Sequence, residues 1–238
     1  MKLDMSKRII LYYDVLGYKQ KFLDNGFDTL EYLKTIKGVV SKTQEYAKAF
    51  GPRVSGTIEL RIFSDNACLV FNIDDKSIGL TLAKILAYDL QQILLEEYEV
   101  LIRGCISYGD IYMDDDLIYG SGLIKSVELE GKAEFPRIII DPSLNDLIFD
   151  DAFGILENIT DDYYEVTYLN PHIIGDFEER DMTVVREKII KMTNMYCKSG
   201  AKEAVIKKYR WLVEKFNSFL PESPIRTEEC SDQCMEVS

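Results

Sequence analysis

The sequence has little of several features that define other classes of protein. It contains a single histidine, His172, among 238 residues, so a zinc site is not expected. No apolar run reaches the ~18 residues of a transmembrane helix. The first residues are not followed by an apolar segment like that of a signal peptide. The last two absences predict a cytoplasmic protein, and the excess of acidic residues predicts that it does not bind an anionic membrane.

Basic residues are scarce relative to acidic ones. There are 28 lysines and arginines against 41 aspartates and glutamates, which gives a formal net charge of −13. Nucleic-acid binding depends on cations that neutralise phosphates, so the chain is not expected to bind nucleic acid. A local pocket with a few cations would still be sufficient for a single nucleotide.

The sequence does contain an ordered alternation of strand and helix patterns. Short apolar runs predict strands at 8–14, 57–63, 67–72, 100–108, 136–140 and 163–169. Apolar residues at helical spacing predict helices at 29–49, 78–98, 120–130, 182–197 and 201–219. This order indicates a layered α+β fold. The predicted organisation is a domain over 1–150, a C-terminal strand and helical extension over 151–220 that packs on it, and a disordered polar tail over 221–238.

Asp14 ends the first predicted strand and is followed by Val15-Leu16-Gly17-Tyr18. A carboxylate at a strand end, beside a glycine that lets the backbone turn, is a common place to hold a cation. The following N–H groups can then point at an anion. A single aspartate at such a position is also a frequent helix N-cap, and this reading stays open.

Asp65 lies between two predicted strands, in the turn-forming sequence Ser64-Asp65-Asn66. It is therefore expected at or near the tip of a hairpin, where aspartate also occurs for turn chemistry alone. If the strand at 57–63 lies beside the strand at 8–14, Asp14 and Asp65 meet at one edge of the sheet. Two close carboxylates repel unless a cation or proton neutralises them. Mg²⁺ suits such a pair, since it completes its shell with water and phosphate oxygens.

Four short motifs, in this order along the chain, resemble those of class III nucleotidyl cyclases. They are Asp14-Val15-Leu16-Gly17-Tyr18, Phe63-Ser64-Asp65-Asn66, the strand from Arg103 to Gly109, and Tyr119-Gly120 at a helix start. The resemblance covers roughly residues 8–140 and implies a ferredoxin-like βααββαβ core with a C-terminal helical extension. Phe135-Pro136-Arg137 and the segment 208–212 resemble a group of bacterial proteins without an established activity.

The resemblance also implies a site and a reaction. Two Mg²⁺ or Mn²⁺ ions would be held by Asp14, the Val15 carbonyl and Asp65. The N–H groups of Leu16, Gly17 and Tyr18 would bind the phosphates of a nucleoside triphosphate. The 3′-hydroxyl would attack the α-phosphate with release of pyrophosphate. Such enzymes work as dimers with shared sites, so a homodimer is expected.

Departures from the family pattern leave two functions open. Ile124 and Glu128 stand where the family has an asparagine and an arginine, and Arg61 stands where it has a purine-selecting lysine. Arg103 and Glu128 are the candidate catalytic residues, and Lys125 is a candidate phosphate ligand. The chain is predicted to be a metal-dependent nucleotidyl cyclase or related nucleotidyltransferase. The alternative is a catalytically impaired nucleotide-binding or regulatory module.

Three further residues are expected to have structural roles and not to take part in the site. Glu130 is expected at the surface or in a cap, and Tyr209 and Trp211 are expected to pack their helix. The third reading, suggested by the acidic surface and the helical C-terminal segment, is a protein that only binds other proteins and has no ligand.

Overall fold

The computed structural model of the chain describes residues 5–23, 26–50, 56–148, 154–171 and 181–226. Their central feature is a sheet of eight strands. The strands are β1 (Ser6–Leu16), β2 (Ile58–Phe63), β3 (Asn66–Phe71), β4 (Leu101–Met113), β5 (Ile118–Tyr119), β6 (Ile138–Ile140), β7 (Leu156–Asn158) and β8 (Tyr164–Val166).

The helices in the described ranges follow the predicted order along the chain. They are α1 (Tyr18–Phe22), α2 (Thr29–Ala49), α3 (Lys76–Tyr98), α4 (Ser121–Ala133), α5 (Thr183–Lys198) and α6 (Glu203–Phe219), with a 3₁₀ helix at Pro142–Leu147. The bounds of α2 are those expected from the sequence. Its start is fixed by Asp28, whose carboxylate accepts a hydrogen bond from the Glu31 N–H at 3.0 Å.

The order of strands in the sheet is β2-β3-β1-β4-β6-β8-β7, and β5 pairs with β4 outside this path. β1 is antiparallel to both β3 and β4, whereas β4 is parallel to β6. The element order βααββαβ, with β1 and β4 at the centre, confirms the predicted ferredoxin-like core. The strand beside β1 is β3 and β2 lies outside it, so the adjacency of 8–14 and 57–63, given above as a condition for Asp14 and Asp65 to meet, does not occur.

Alternation along β1 divides the core into two layers. Ile9, Leu11 and Tyr13 belong to one buried cluster, which includes residues of α2, α3, α5 and α6. Ile10 and Tyr12 belong to the other cluster, which α4 covers. Asp14 continues the second series, because every second residue of a strand lies on the same face. Its side chain therefore lies on the face covered by α4.

α3 is the one helix, in the ranges that the structure describes, long and apolar enough to cross a membrane by length and composition. However, 67% of its apolar window is buried inside the fold. Its apolar character is accounted for by its place in the larger core cluster, between the sheet and the helices α2 and α5.

Residues 221–226, which the prediction assigned to the polar tail, are among the described residues. Ile225 is buried, and its N–H and C=O bond to the Asn217 side chain at 2.7 and 3.0 Å. These two bonds attach residue 225 to the end of α6. Residues 227–238 of the predicted tail, and His172, lie outside the described residues. The division into domains stays a prediction.

Candidate functional site

Asp14 is placed by strand register beside an arginine. It lies opposite Asn66 on β3 and Arg103 on β4, and directly opposed residues project from the same face of a sheet. Arg103 donates from Nε to Asp14 Oδ1 at 3.3 Å and from Nη2 to Oδ2 at 3.1 Å. Both oxygens of the predicted metal ligand therefore already have a cationic partner.

A second carboxylate, that of Glu130 on α4, shares the same guanidinium. Arg103 forms an ion pair with Glu130, and the side chains of Asp14, Arg103 and Glu130 are 19%, 21% and 14% exposed. Burial, reinforced by the charge of Asp14 and opposed by Arg103, raises the pKa of Glu130 to about 7. Burial disfavours the charge on Arg103, but the two carboxylates outweigh it and raise its pKa.

The tip of the β2–β3 hairpin is tied to the end of β1. The Val15 N–H donates to the Asp65 carbonyl oxygen at 2.8 Å. The Asn66 side-chain amide donates to Asp65 Oδ1 at 3.0 Å, and the Tyr12 hydroxyl donates to Asn66 Oδ1 at 2.6 Å. Asp65 is thus in the expected turn, and the hairpin tip brings it to the same end of the sheet as Asp14.

A cavity of about 1260 Å³ opens at this end of the sheet. Its lining includes Asp14, Val15, Asp65, Lys208 and the segment Leu16, Gly17 and Tyr18. Gly17 has φ +73°, a left-handed conformation that glycine adopts without strain, and the chain turns there from β1 into α1. All the predicted metal-binding residues and the predicted phosphate-binding segment therefore line one cavity.

Besides Arg103, which contacts Asp14 without lining this cavity, three predicted site residues are not among those that line it. The Arg61 guanidinium donates to the Asp114 carbonyl oxygen at 3.1 Å and binds the β4–β5 loop. Lys125 forms an ion pair with the buried Asp141, which satisfies its charge elsewhere. Glu128 is exposed on the outer side of α4. Within one chain, the structure therefore brings none of the three to Asp14.

Sequence reasoning missed two residues that do reach the site, Glu130 and Lys208. Glu130 was expected in a surface or capping role, but it follows the buried Leu129, three residues before the buried Ala133. That spacing places it on the inner side of α4. Lys208 precedes Tyr209 and Leu212, which are buried on α6, so it stands at the edge of an apolar stripe. In both helices the spacing from apolar residues indicates on which side the residue lies, although it does not indicate its partner.

The donors in the cavity fit a hydrated divalent cation. Among the described residues there is no group of three histidine, cysteine, aspartate or glutamate side chains that could enclose a metal. Asp14, Asp65 and Val15 line the cavity, so two carboxylates and a backbone carbonyl are its candidate oxygen ligands. Mg²⁺ is commonly bound in this way, through one or two carboxylates, with water and phosphate oxygens supplying the other ligands.

No family model and no curated protein matches this chain. Solved structures that resemble it are adenylyl and guanylyl cyclases, the class whose motifs the sequence resembles. The adenylyl cyclase CyaB from P. aeruginosa is 15% identical, with a TM-score of 0.44, covering 70% of this chain and 96% of that one.

Two other solved structures show similar values. An adenylate/guanylate cyclase/hydrolase from Silicibacter pomeroyi is 18% identical, with a TM-score of 0.47, covering 69% of this chain and 98% of that one. A class III adenylyl cyclase-like ATP-binding protein from Pseudomonas aeruginosa is 14% identical, with a TM-score of 0.41, covering 69% of this chain and 39% of that one.

Proposed function

We propose that this protein binds a nucleoside triphosphate with a divalent cation in the cavity at the end of β1, and acts on it as a nucleotidyl cyclase or related nucleotidyltransferase. The observation that carries the proposal is that Asp14 and Asp65 line the same cavity as Lys208 and the turn at Gly17. Oxygen donors for a metal and a cation for phosphate thus lie side by side, as a metal–triphosphate complex requires.

Each part of the ligand has a proposed binding group. Asp14, Asp65 and the Val15 carbonyl would hold two Mg²⁺ or Mn²⁺ ions. The bound metal would offset the charge of the carboxylates and of the phosphates. The N–H groups of Leu16, Gly17 and Tyr18 would bind phosphate oxygens. A cavity of about 1260 Å³ exceeds the ~300–1,000 Å³ of most ligand pockets, so a nucleotide with its metal and water can enter.

A nucleotide-binding module without turnover is the second candidate, and a specific observation favours it. No arginine lines the cavity in the part of the chain that the structure describes. Arg103, the nearest candidate, is held by Asp14 and Glu130. A positioned cation contributes several kcal/mol to transition-state stabilisation of charged reactions. A chain whose arginine stays in this cluster would bind nucleotide and leave it unchanged.

A homodimer is also proposed. Four large apolar side chains of β5, its preceding loop and α4 are between 47% and 70% exposed: Leu117, Tyr119, Ile124 and Val127. They lie close together in the chain, and the two on α4 are three residues apart and share one side of the helix. A second copy of the chain would remove this apolar surface from water.

The proposed function is tested by melting the protein with ATP, GTP, CTP or UTP in the presence of Mn²⁺. Saturation at 100 times Kd adds about 2.7 kcal/mol of stability, which raises the Tm of a chain of this size by roughly 5–10 °C. Asp14→Ala is expected to abolish the shift. Asp161→Ala, which changes an exposed aspartate outside the cavity, is expected to retain it.

Pyrophosphate measured in the same samples separates the two candidates. Release that depends on Asp14 supports the cyclase or transferase, whereas a shift without release supports the binding module. If none of the four nucleotides shifts the Tm of the wild-type protein, or if Asp14→Ala keeps the shift, the proposed site is refuted.

A further inference from the structure

We infer that Lys208, on the C-terminal helix α6, is a phosphate-binding residue of this site, so that the extension beyond the βααββαβ core completes the pocket. The inference rests on the proposed function and specifies which group of the chain receives the phosphate chain of the ligand. Lys208 is far from Asp14 and Asp65 in the sequence, but all three residues line the same cavity.

Lys208 differs from its charged neighbours on α6 because it has no partner among the residues that the structure describes. Lys207 binds Glu134 at 2.7 Å, and Lys215 binds Glu157 at 2.8 Å. Lys208 makes no hydrogen bond or ion pair with any residue in the described ranges. Yet the chain has 41 acidic residues against 28 basic ones, so an acidic partner would be readily available. A half-buried ammonium without a partner is costly, and an anionic ligand would compensate for it.

The electrostatics around Lys208 agree with an anion site. Burial, and then the charge of Arg103, lower the pKa of Lys208, while the carboxylates of Asp14 and Glu130 act in the opposite direction. These carboxylates are already bound to Arg103. The Lys208 ammonium is therefore the group in this cluster whose charge remains available for a ligand.

The position of Lys208 is fixed by aromatic packing one helical turn away. Trp211 stacks on Phe135 with ring centroids 5.3 Å apart and planes inclined by 6°. The guanidinium of Arg137 lies over both rings, at 5.4 and 5.8 Å. Lys215 adds an ion pair to the buried Glu165. These contacts hold α6 against β8 and the segment that leads into β6, and so hold Lys208 at the cavity.

Lysine suits the terminal phosphates of a triphosphate. Its ammonium is a compact point charge with three donors on a flexible stem, so it follows phosphate oxygens without imposing a planar geometry. Charge-assisted hydrogen bonds of this kind are roughly twice as strong as neutral ones. Lys208 is thus expected to favour a triphosphate over a monophosphate, because a monophosphate bound at the metal would place less charge near it.

The test is a calorimetric titration of the full chain with inorganic tripolyphosphate and Mg²⁺, followed by ATP, GTP, CTP and UTP. Tripolyphosphate has no base, so it reports on the phosphate site alone. Lys208→Met is expected to weaken binding by ~10- to 100-fold, the range for loss of one charge-assisted hydrogen bond. Lys208→Arg is expected to stay within about threefold of wild type, because the charge remains.

The matched control is Lys207→Met, which removes the same charge from the exposed neighbour on α6. It is expected to bind the probes as the wild type does. Thermal melting of the variants without ligand shows whether α6 has stayed in place. If Lys208→Met is folded and binds like wild type while Asp14→Ala does not bind, the inference for Lys208 is overturned and the proposed function stands. If the wild type binds no probe, both fail.

Discussion

Replacing Glu130 by glutamine tests the electrostatics of the cluster around Arg103. The change is almost isosteric and removes only the ability to ionise. In the folded protein burial and Asp14 raise the pKa of Glu130 from its ordinary 4.5 to about 7, against the opposing charge of Arg103. The titratable groups that face it are Asp14, Arg103 and Lys208, together with Tyr12 on β1 and Cys105 on β4. In the unfolded chain these neighbours are lost and the ordinary value returns.

The direction of the pH effect follows from this raised pKa. Between pH 4.5 and about 7 the folded state binds the proton of Glu130 more tightly than the unfolded state does. The stabilisation is therefore complete below about pH 4.5 and is lost as the pH rises through 7. Each unit of pKa corresponds to ~1.36 kcal/mol, so the full change is on the order of 3 kcal/mol.

The assay is urea unfolding of wild type and Glu130→Gln at pH 5, 6, 7 and 8. Titrations of groups remote from Glu130 are common to both proteins and cancel in the difference. The free energy of unfolding of wild type, relative to Glu130→Gln, is expected to fall by roughly 2–3 kcal/mol from pH 5 to pH 8. Glu128→Gln, on the exposed side of the same helix, should follow the wild-type profile. Parallel curves for wild type and Glu130→Gln would refute the reasoning.

Two further predictions concern the sheet and the subunit interface. At Gly104 on β4 a Cβ would lie 2.7 Å from Tyr13 Cα, so Gly104→Ala should cost at least ~3 kcal/mol. Gly38→Ala in α2, where no atom lies within 4 Å, should stabilise by ~0.5–1 kcal/mol. Equal urea midpoints for the two variants would contradict this. Light scattering should give the wild-type protein the mass of a dimer of the 27.4 kDa chain. Ile124→Lys should reduce this mass to that of a monomer, whereas Val184→Lys on α5 should leave it unchanged. A monomeric wild type would refute the homodimer.

The elements of the core were predictable because their signals are local. α2 shows helical periodicity after an aspartate cap, and the Ser64-Asp65-Asn66 turn defines the hairpin. β5 and β7 were not predicted, because strands of two and three residues show no periodicity. The meeting of Asp14 with the hairpin tip could be predicted from the order of elements, although its neighbour proved to be β3.

The remaining parts of the site depend on packing that a local pattern does not specify. Arg103 reaches Asp14 because of the register of β1 and β4 across 89 residues of chain. Glu130 reaches Arg103 because α4 lies on that side of the sheet, which also leaves Glu128 in solvent. Lys208 arrives through the stacking of Trp211 on Phe135. Each of these contacts joins elements whose relative position only the tertiary fold determines.

The charges gathered at the cavity imply that metal and nucleotide bind together. Asp14, Asp65 and Glu130 are acidic, and the cations beside them are Arg103, Lys208 and Lys19, which also lines the cavity. Above pH 7, where Glu130 is ionised, these charges only balance, so a triphosphate alone gains no net attraction and meets carboxylates that repel it. A divalent cation at the carboxylates makes the site net positive and leaves Lys208 to bind the phosphates. Protonation of Glu130 at lower pH therefore reduces the negative charge that attracts the metal.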